Sequence, residues 1–183
     1  QAPDPVTSFS VTYTVSHKVS LRWTNPTSMS YAGTMVRCKT TGYPTGPTDG
    51  TLVCDRTAMA GTTDTYVHTG LTDGLTYYYS AFAHDNTPFY AAGVNVQATP
   101  IDLTCVHAKA LADGAYIELN NKVVSAVFSS DNAIYVQEQD RANGIRVLHS
   151  GVGLAVGDRV SVSGTMSTRT ISSIAAERQV NSS

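Results

Sequence analysis

The chain is short of the residues that usually announce chemistry or compartment. Among 183 residues there are three cysteines, one tryptophan and four lysines. Three cysteines cannot build a four-ligand zinc site, which takes closely spaced pairs, and no two are separated by only two residues as in a dithiol redox motif. No apolar run approaches the roughly 18 residues of a membrane span, so no spanning helix is expected. Twelve basic residues stand against fourteen acidic ones, a formal net charge of -2, and no global field draws the chain to nucleic acid or an anionic membrane. The five histidines, at positions 17, 68, 84, 107 and 149, have no metal-ligand spacing. Neither GxSxG, HExxH, a P-loop nor GxGxxG occurs, and no cofactor is implied.

Hydroxyls are abundant instead. Serine and threonine total 42 residues, 18 and 24 respectively, which gives a surface rich in hydroxyls and poor in amines. A start at Gln1 rather than methionine fits either a processed chain or an excised fragment, and with this composition the expectation is a secreted protein of the cell surface or extracellular space.

Helical periodicity is nearly absent; only "HAKALADG" (107–114) suits a turn or two of helix. The first hundred residues alternate as "VTSFSVTY", "KVSLRWTN", "GTMVRCKT", "GTLVCDRT", "DTYVHTGL", "TYYYSAFAHD" and "GVNVQATP", with turn signals between them at Asn25-Pro26, Tyr43-Pro44, Asp49-Gly50, Asp73-Gly74 and Thr87-Pro88. Seven short strands at this spacing predict a β-sandwich. The strings "PDPVTSFSV…KVSLRWTNP", with the lone Trp23, and "TGLTDGLTYYYSAFAHD" resemble a fibronectin type III domain over about residues 3 to 100. That resemblance implies a tyrosine corner at Leu71 and Tyr77, and an inward face of Tyr77, Tyr79, Ala81 and Ala83, with Tyr78 outward.

After a connector the pattern changes to "GAYIELNNKVVSAVF", "NAIYVQEQD", "GIRVLHS", "DRVSVSGTMST" and "TISSIAAERQVN". Five strands led by a long, bent one resemble an OB-fold barrel, as in OB-like domains of bacterial secreted proteins, with the usual helix between the third and fourth strands reduced to "SGVGLAVG". The expectation is an all-β chain: a fibronectin type III-like sandwich at 1–100, then an OB-fold-like five-stranded barrel at 101–183.

Cys38 and Cys54 lie on the third strand and its hairpin neighbour. A directly opposed antiparallel pair has Cα atoms about 4.5 to 5.5 Å apart, inside the disulfide window, so a cross-strand staple is expected, with two buried free thiols as the alternative. Such a bond would suit an oxidising compartment. Cys105 is left over at the junction and reads as a buried thiol. Glu138 and Asp140, in "QEQDR", share a strand face and offer paired carboxylates, but a hairpin end beside Arg141 is an ordinary place for solvated charge. From residue 101 onward there are seven basic residues, eight acidic ones and three aromatics, Tyr116, Phe128 and Tyr135, too little for a basic groove with stacking platforms; no nucleic-acid partner is expected.

Eight of ten tyrosines lie in the first half, and Tyr31, Tyr43 and Tyr90 fall in its loops as candidate carbohydrate or interface contacts. With no enzyme chemistry to assign, the sequence reads as a secreted structural protein that assembles with copies of itself into an extracellular filament or surface layer. The alternative is an accessory or carbohydrate-binding module of a larger secreted polysaccharide-active enzyme, with glycans as partner. Asn181-Ser-Ser is a formal N-glycosylation acceptor.

Overall fold

The structure, a computed structural model, describes residues 1–182 apart from 88, 150–152 and 173–174. Among the described residues, twelve strands and one short α-helix divide into two compact units, Gln1–Ile101 and Asp102–Ser183. Both are all-β in their sheets.

The first unit holds β1 (Thr7–Val15), β2 (Lys18–Thr24), β3 (Gly33–Lys39), β4 (Thr51–Arg56), β5 (Thr63–Thr69), β6 (Tyr77–His84) and β7 (Val94–Ala98). Two antiparallel sheets result, ordered β1-β2-β5 and β4-β3-β6-β7. Period-two alternation puts Val19, Leu21 and Trp23 of β2 and Val36 and Cys38 of β3 into the shared core, where Trp23 is fully buried and meets Phe9 edge-on at 6.3 Å. β1 turns into β2 through Ser16-His17. His17 has φ 60°, and Asp73 holds the turn by accepting hydrogen bonds from Ser16 Oγ and His17 N, both at 2.7 Å.

The tyrosine corner is present: the Tyr77 hydroxyl accepts a hydrogen bond from Thr72 N at 3.0 Å. Along β6, Tyr79, Ala81 and Ala83 are buried as the alternation predicts, but Ser80 and Phe82 on the other face are buried too. Ser80 Oγ bonds to Pro44 O at 2.8 Å, and Gly93 packs so closely on Phe82 that a Cβ there would lie 2.6 Å from the ring. The connections before β4 and after β6 fold back over the outer face, which a strict inward and outward reading of the strand does not anticipate.

The second unit contains α1 (Cys105–Ala110), β8 (Tyr116–Phe128), β9 (Ala133–Gln137), β10 (Gly144–Leu148), β11 (Arg159–Ser172) and β12 (Ala175–Ser182). Its five strands close on themselves in the order β10-β12-β11-β8-β9, with β10 and β12 parallel and every other pair antiparallel. The 13-residue β8 bends at Asn121, whose φ of 54° accompanies a register shift against β11. Gly164 lets β11 and β12 approach: a Cβ there would sit 2.1 Å from the Asn181 carbonyl oxygen. Ile117, Leu119, Val124, Ile134, Val136, Ile145 and Val180 fill the interior, joined by Leu103, Cys105 and Ala108 from the segment around α1. The "SGVGLAVG" segment expected in place of a helix falls partly outside the described residues.

Candidate functional site

The cysteines require a correction. Register opposes Cys54 to Val36 and Cys38 to Thr51, with a bulge between Val36 and Arg37. The two thiols therefore stand on a diagonal with an extra residue intervening. A diagonal neighbour lies about 7 to 8 Å away, beyond the Cα separation that a disulfide tolerates. All three cysteines are free thiols. Cys38 and Cys54 pack in the sandwich core and Cys105 in the barrel core. Burial pushes the Cys54 and Cys105 thiols up to about 12, so neither is a thiolate nucleophile at neutral pH.

The histidines of the first unit are held in structural hydrogen bonds. His17 Nδ1 lies 2.7 Å from Leu71 O. His84 Nδ1 faces Asp85 O at 3.0 Å while its Nε2 faces Asp55 Oδ1 at 2.9 Å, so both ring nitrogens are engaged. His68 bridges the two sheets: its Nδ1 lies 3.1 Å from the Tyr79 hydroxyl, and burial holds the imidazole below its ordinary pKa. A neutral ring accepting from the phenol carries its own proton on Nε2.

Glu138 and Asp140 do not form a working pair. Glu138 Oε1 accepts from Cys105 N at 2.7 Å at the start of α1, and Oε2 pairs at 3.0 Å with Nζ of Lys122, a side chain only 6% exposed. Burial alone would raise the Glu138 pKa; the Cys105 amide and the Lys122 ammonium overcome it and hold the carboxyl below its ordinary value. Asp140 accepts from Ala142 N at 2.9 Å and shapes the hairpin that follows β9. Two carboxylates that share a strand face in sequence have been given separate structural tasks. No group of three or more metal-ligating side chains occurs among the described residues.

The barrel face made by β9, β10 and β12 carries Tyr135, Arg146 and Gln179 in a row. Tyr135 Oη donates to Glu177 at 2.6 Å, Arg146 bonds to Gln179, and Arg146 and Arg169 each lie 3.8 Å from Asp131. The basic groups of this face are thus matched by carboxylates. A separate cavity of about 270 Å³ is lined by Ile134, Val147, Leu154 and Val160 with His149 and Ser182 among the polar lining.

The three candidate tyrosines are not brought together. Tyr31 packs against the sandwich core and shares a hydrogen bond with Thr34 Oγ1 at 3.0 Å, the outer end of a buried chain running through Asn25 to Trp23. Tyr90 tilts against His84, ring centroids 5.4 Å apart, at the same end of the unit. Tyr43 meets Tyr78 edge-on at 5.2 Å. Tyr78 pairs with Lys39 and His84 with Gly33, opposite ends of β3, so Tyr43 is separated from Tyr90 by the length of that strand, about 20 Å.

A feature that loop tyrosines did not flag lies at the Tyr90 end. Met29, Met59 and Phe89 are 104%, 77% and 57% exposed. Their loops are tied to one another: Gly61 N donates to Pro26 O at 3.0 Å, Asn25 N to Thr62 O at 2.8 Å, and Ala32 N to His84 O at 2.8 Å. Three large apolar side chains therefore project from one pole of the unit. It is the pole away from Ala98, where the chain leaves β7 opposite Tyr77. The sequence signal was there, since all three residues sit in gaps between the expected strands, where large apolar side chains are out of place.

No protein-family model matches the chain, and no curated protein matches it. Among solved structures 29 chains match. One of them, named "Myokine structure", is 13% identical; the match covers 54% of this chain and 98% of that one, and the TM-score is 0.37. A likeness at that score carries nothing further about this protein.

Proposed function

We propose that this chain is a non-catalytic structural protein of the cell exterior, which assembles with copies of itself into a filament or surface layer. In this reading the first unit is a fibronectin type III-like sandwich, supported by its sheets of three and four strands and by the Tyr77 corner. The second is an OB-like barrel, supported by five strands closed in the order first, second, third, fifth, fourth.

The observation that carries the assembly reading is the pole bearing Met29, Met59 and Phe89. Large apolar side chains gathered at one end and turned to solvent mark a surface that another protein covers. Docked on a different surface of the next copy, this pole makes a heterologous contact, and a heterologous contact that does not close makes an open chain of subunits. Few lysines and a formal charge of only -2 leave little repulsion between copies.

The test is light scattering of the full chain over a range of concentration, beside a variant carrying Met29→Ser, Met59→Ser and Phe89→Ser. Growth with concentration into assemblies larger than a dimer, which the triple variant does not form, supports the reading. A wild-type chain that stays monomeric throughout overturns it. The accessory-module reading predicts a different outcome, binding to a defined glycan on an array that Tyr43→Ala or Tyr90→Ala removes. Against it stand the separation of those two rings and the engagement of Tyr31 in the core.

A further inference from the structure

Four strands edge the two sheets of the first unit: β1 and β5 in one, β4 and β7 in the other. An edge offers unpaired N–H and C=O groups to any passing strand, and proteins ordinarily blunt it with bulges, lysine, proline, charge or a covering element. Three of the four are blunted. β1 breaks register twice along β2, has Ser8 at φ 53°, and runs beside β7, the five-residue edge of the other sheet. β4 is bulged against β3 and ends in exposed Asp55 and Arg56.

β5 is not. It pairs with β2 over seven consecutive residues without a shift, and its other edge has no strand beside it among the described residues. Its sequence, Thr-Asp-Thr-Tyr-Val-His-Thr, contains neither lysine nor proline and is built almost wholly of residues that favour strands. Val67, on the solvent-facing side, is 39% exposed.

We infer that β5 is an interface at which two copies of this chain join, pairing edge to edge and antiparallel about a two-fold axis at Tyr66. The identity of the second strand comes from self-complementarity. Antiparallel pairing centred on Tyr66 sets Thr63 opposite Thr69, Asp64 opposite His68 and Thr65 opposite Val67 of the second copy, each pair made twice. The outer face then carries threonine and valine pairs. The inner face sets a carboxylate opposite an imidazole.

Both members of that polar pair have capacity to spare. Asp64 Oδ1 accepts from Arg56 Nε at 3.1 Å, but Asp64 Oδ2 is buried and accepts no hydrogen bond among the described residues. A buried acceptor without a donor costs stability, and a turn of the Asp64 side chain toward the edge would let an arriving donor relieve that cost. His68 Nδ1 lies 3.1 Å from the Tyr79 hydroxyl, and the tautomer that accepts there carries its proton on Nε2, free to give. A slip of one residue turns the threonine face inward, and a slip of two parts Asp64 from His68, so one register is preferred. Joined in this way, the three-stranded sheets of two copies make one six-stranded sheet.

This inference rests on the self-assembly reading but names a surface distinct from the Met29, Met59 and Phe89 pole, and the two are separable. The experiment is sedimentation velocity of the full chain over a range of concentration, with Val67→Lys as the edge-blocking variant. Because residue 67 faces solvent, the variant keeps its fold, checked by Trp23 fluorescence and thermal unfolding. The expected result is a reversible dimer that Val67→Lys weakens at least about tenfold and that the triple pole variant leaves intact. A second measurement fixes the register: Thr65→Cys and Val67→Cys chains, mixed and mildly oxidised, cross-link to each other, while a Thr65→Cys chain alone does not. Association that Val67→Lys leaves unchanged overturns the edge interface and spares the assembly reading. A chain that remains monomeric at every concentration overturns both.

Discussion

Replacing Asn25 with alanine tests the packing of the first unit at its most exacting point. Asn25 is 2% exposed, and its Oδ1 accepts from Trp23 Nε1 at 2.9 Å and from Thr34 Oγ1 at 3.2 Å, while Nδ2 donates to Thr62 Oγ1 at 3.2 Å. The substitution orphans the indole N–H of a fully buried tryptophan, at about 1 to 3 kcal/mol, and removes the bond to Thr62, at about 1 kcal/mol net. Thr34 keeps Tyr31 as a partner and adds little. The sum is about 2 to 4 kcal/mol, a large part of the 5 to 15 kcal/mol that a domain of this size commonly has. For about 100 residues each kcal/mol moves the midpoint by about 4 to 8 °C, so thermal unfolding should fall by about 10 to 30 °C. The assay is specific because Trp23 is the chain's one tryptophan and its fluorescence reports the first unit alone. Thr34→Val, which leaves the bond from Trp23 to Asn25 in place, should cost only about 1 kcal/mol. An Asn25→Ala chain within about 0.5 kcal/mol of wild type would refute the reasoning, since that is the range of an ordinary surface change.

Further outcomes follow from the same contacts. Burial holds His68 below its ordinary value of about 6.5, so the unfolded chain takes up a proton that the folded one refuses; stability of the first unit, followed by urea titration of Trp23 fluorescence, should decline as pH falls below about 6.5, and His68→Gln should flatten that decline. A second decline should begin near pH 3.8 and continue below it, because Asp49, Asp73 and Asp85 are all held under their ordinary 3.8 and their contribution is lost as pH falls through those lower values. For Asp49 the largest cause is the Thr45 amide and for Asp85 the Phe89 amide; for Asp73 the His17 amide and Ser16 hydroxyl outweigh burial, which acts the other way. Glu138→Gln, leaving the Lys122 ammonium nearly buried without a counter-charge, should lower stability of the second unit by on the order of 2 to 3 kcal/mol by calorimetry; an unchanged transition would show the pair to be solvated. Alkylation without reductant should label none of the three cysteines in the native protein and all of them after denaturation. A chain that needs reductant to be labelled would restore the Cys38 to Cys54 staple.

Much of this architecture was legible from residue order. Val19, Leu21 and Trp23 alternate into the core as written, Asn25-Pro26 and Asp73-Gly74 mark turns, and Leu71 with Tyr77 frames a corner whose hydrogen bond is there. These features depend on side chains a few residues apart, which a linear reading captures. Register does not. Nothing in "VRCKTTGYPTGPTDGTLVCD" marks the bulge between Val36 and Arg37 that carries Cys54 past Cys38, because the slip is decided by how β3 and β4 pack over the core. Tyr31 lies in a loop as read, but it packs half-buried against the core for a similar reason: its partner, Thr34, is chosen by a buried polar chain that begins at Trp23. The role of Glu138 depends on a contact 33 residues away, with Cys105 N, and the burial of Ser80 and Phe82 on a connection that returns over β6. The edge at β5 was in plain view in "TDTYVHT", but its self-complementary character acquires meaning only when that strand is known to lie at the rim of its sheet.

An electron micrograph of the full chain at high concentration tests the central claim most directly. The account predicts filaments or a sheet with a regular repeat, thinned or abolished by Met29→Ser, Met59→Ser and Phe89→Ser. A field of separate single particles, unchanged by those substitutions, would contradict it.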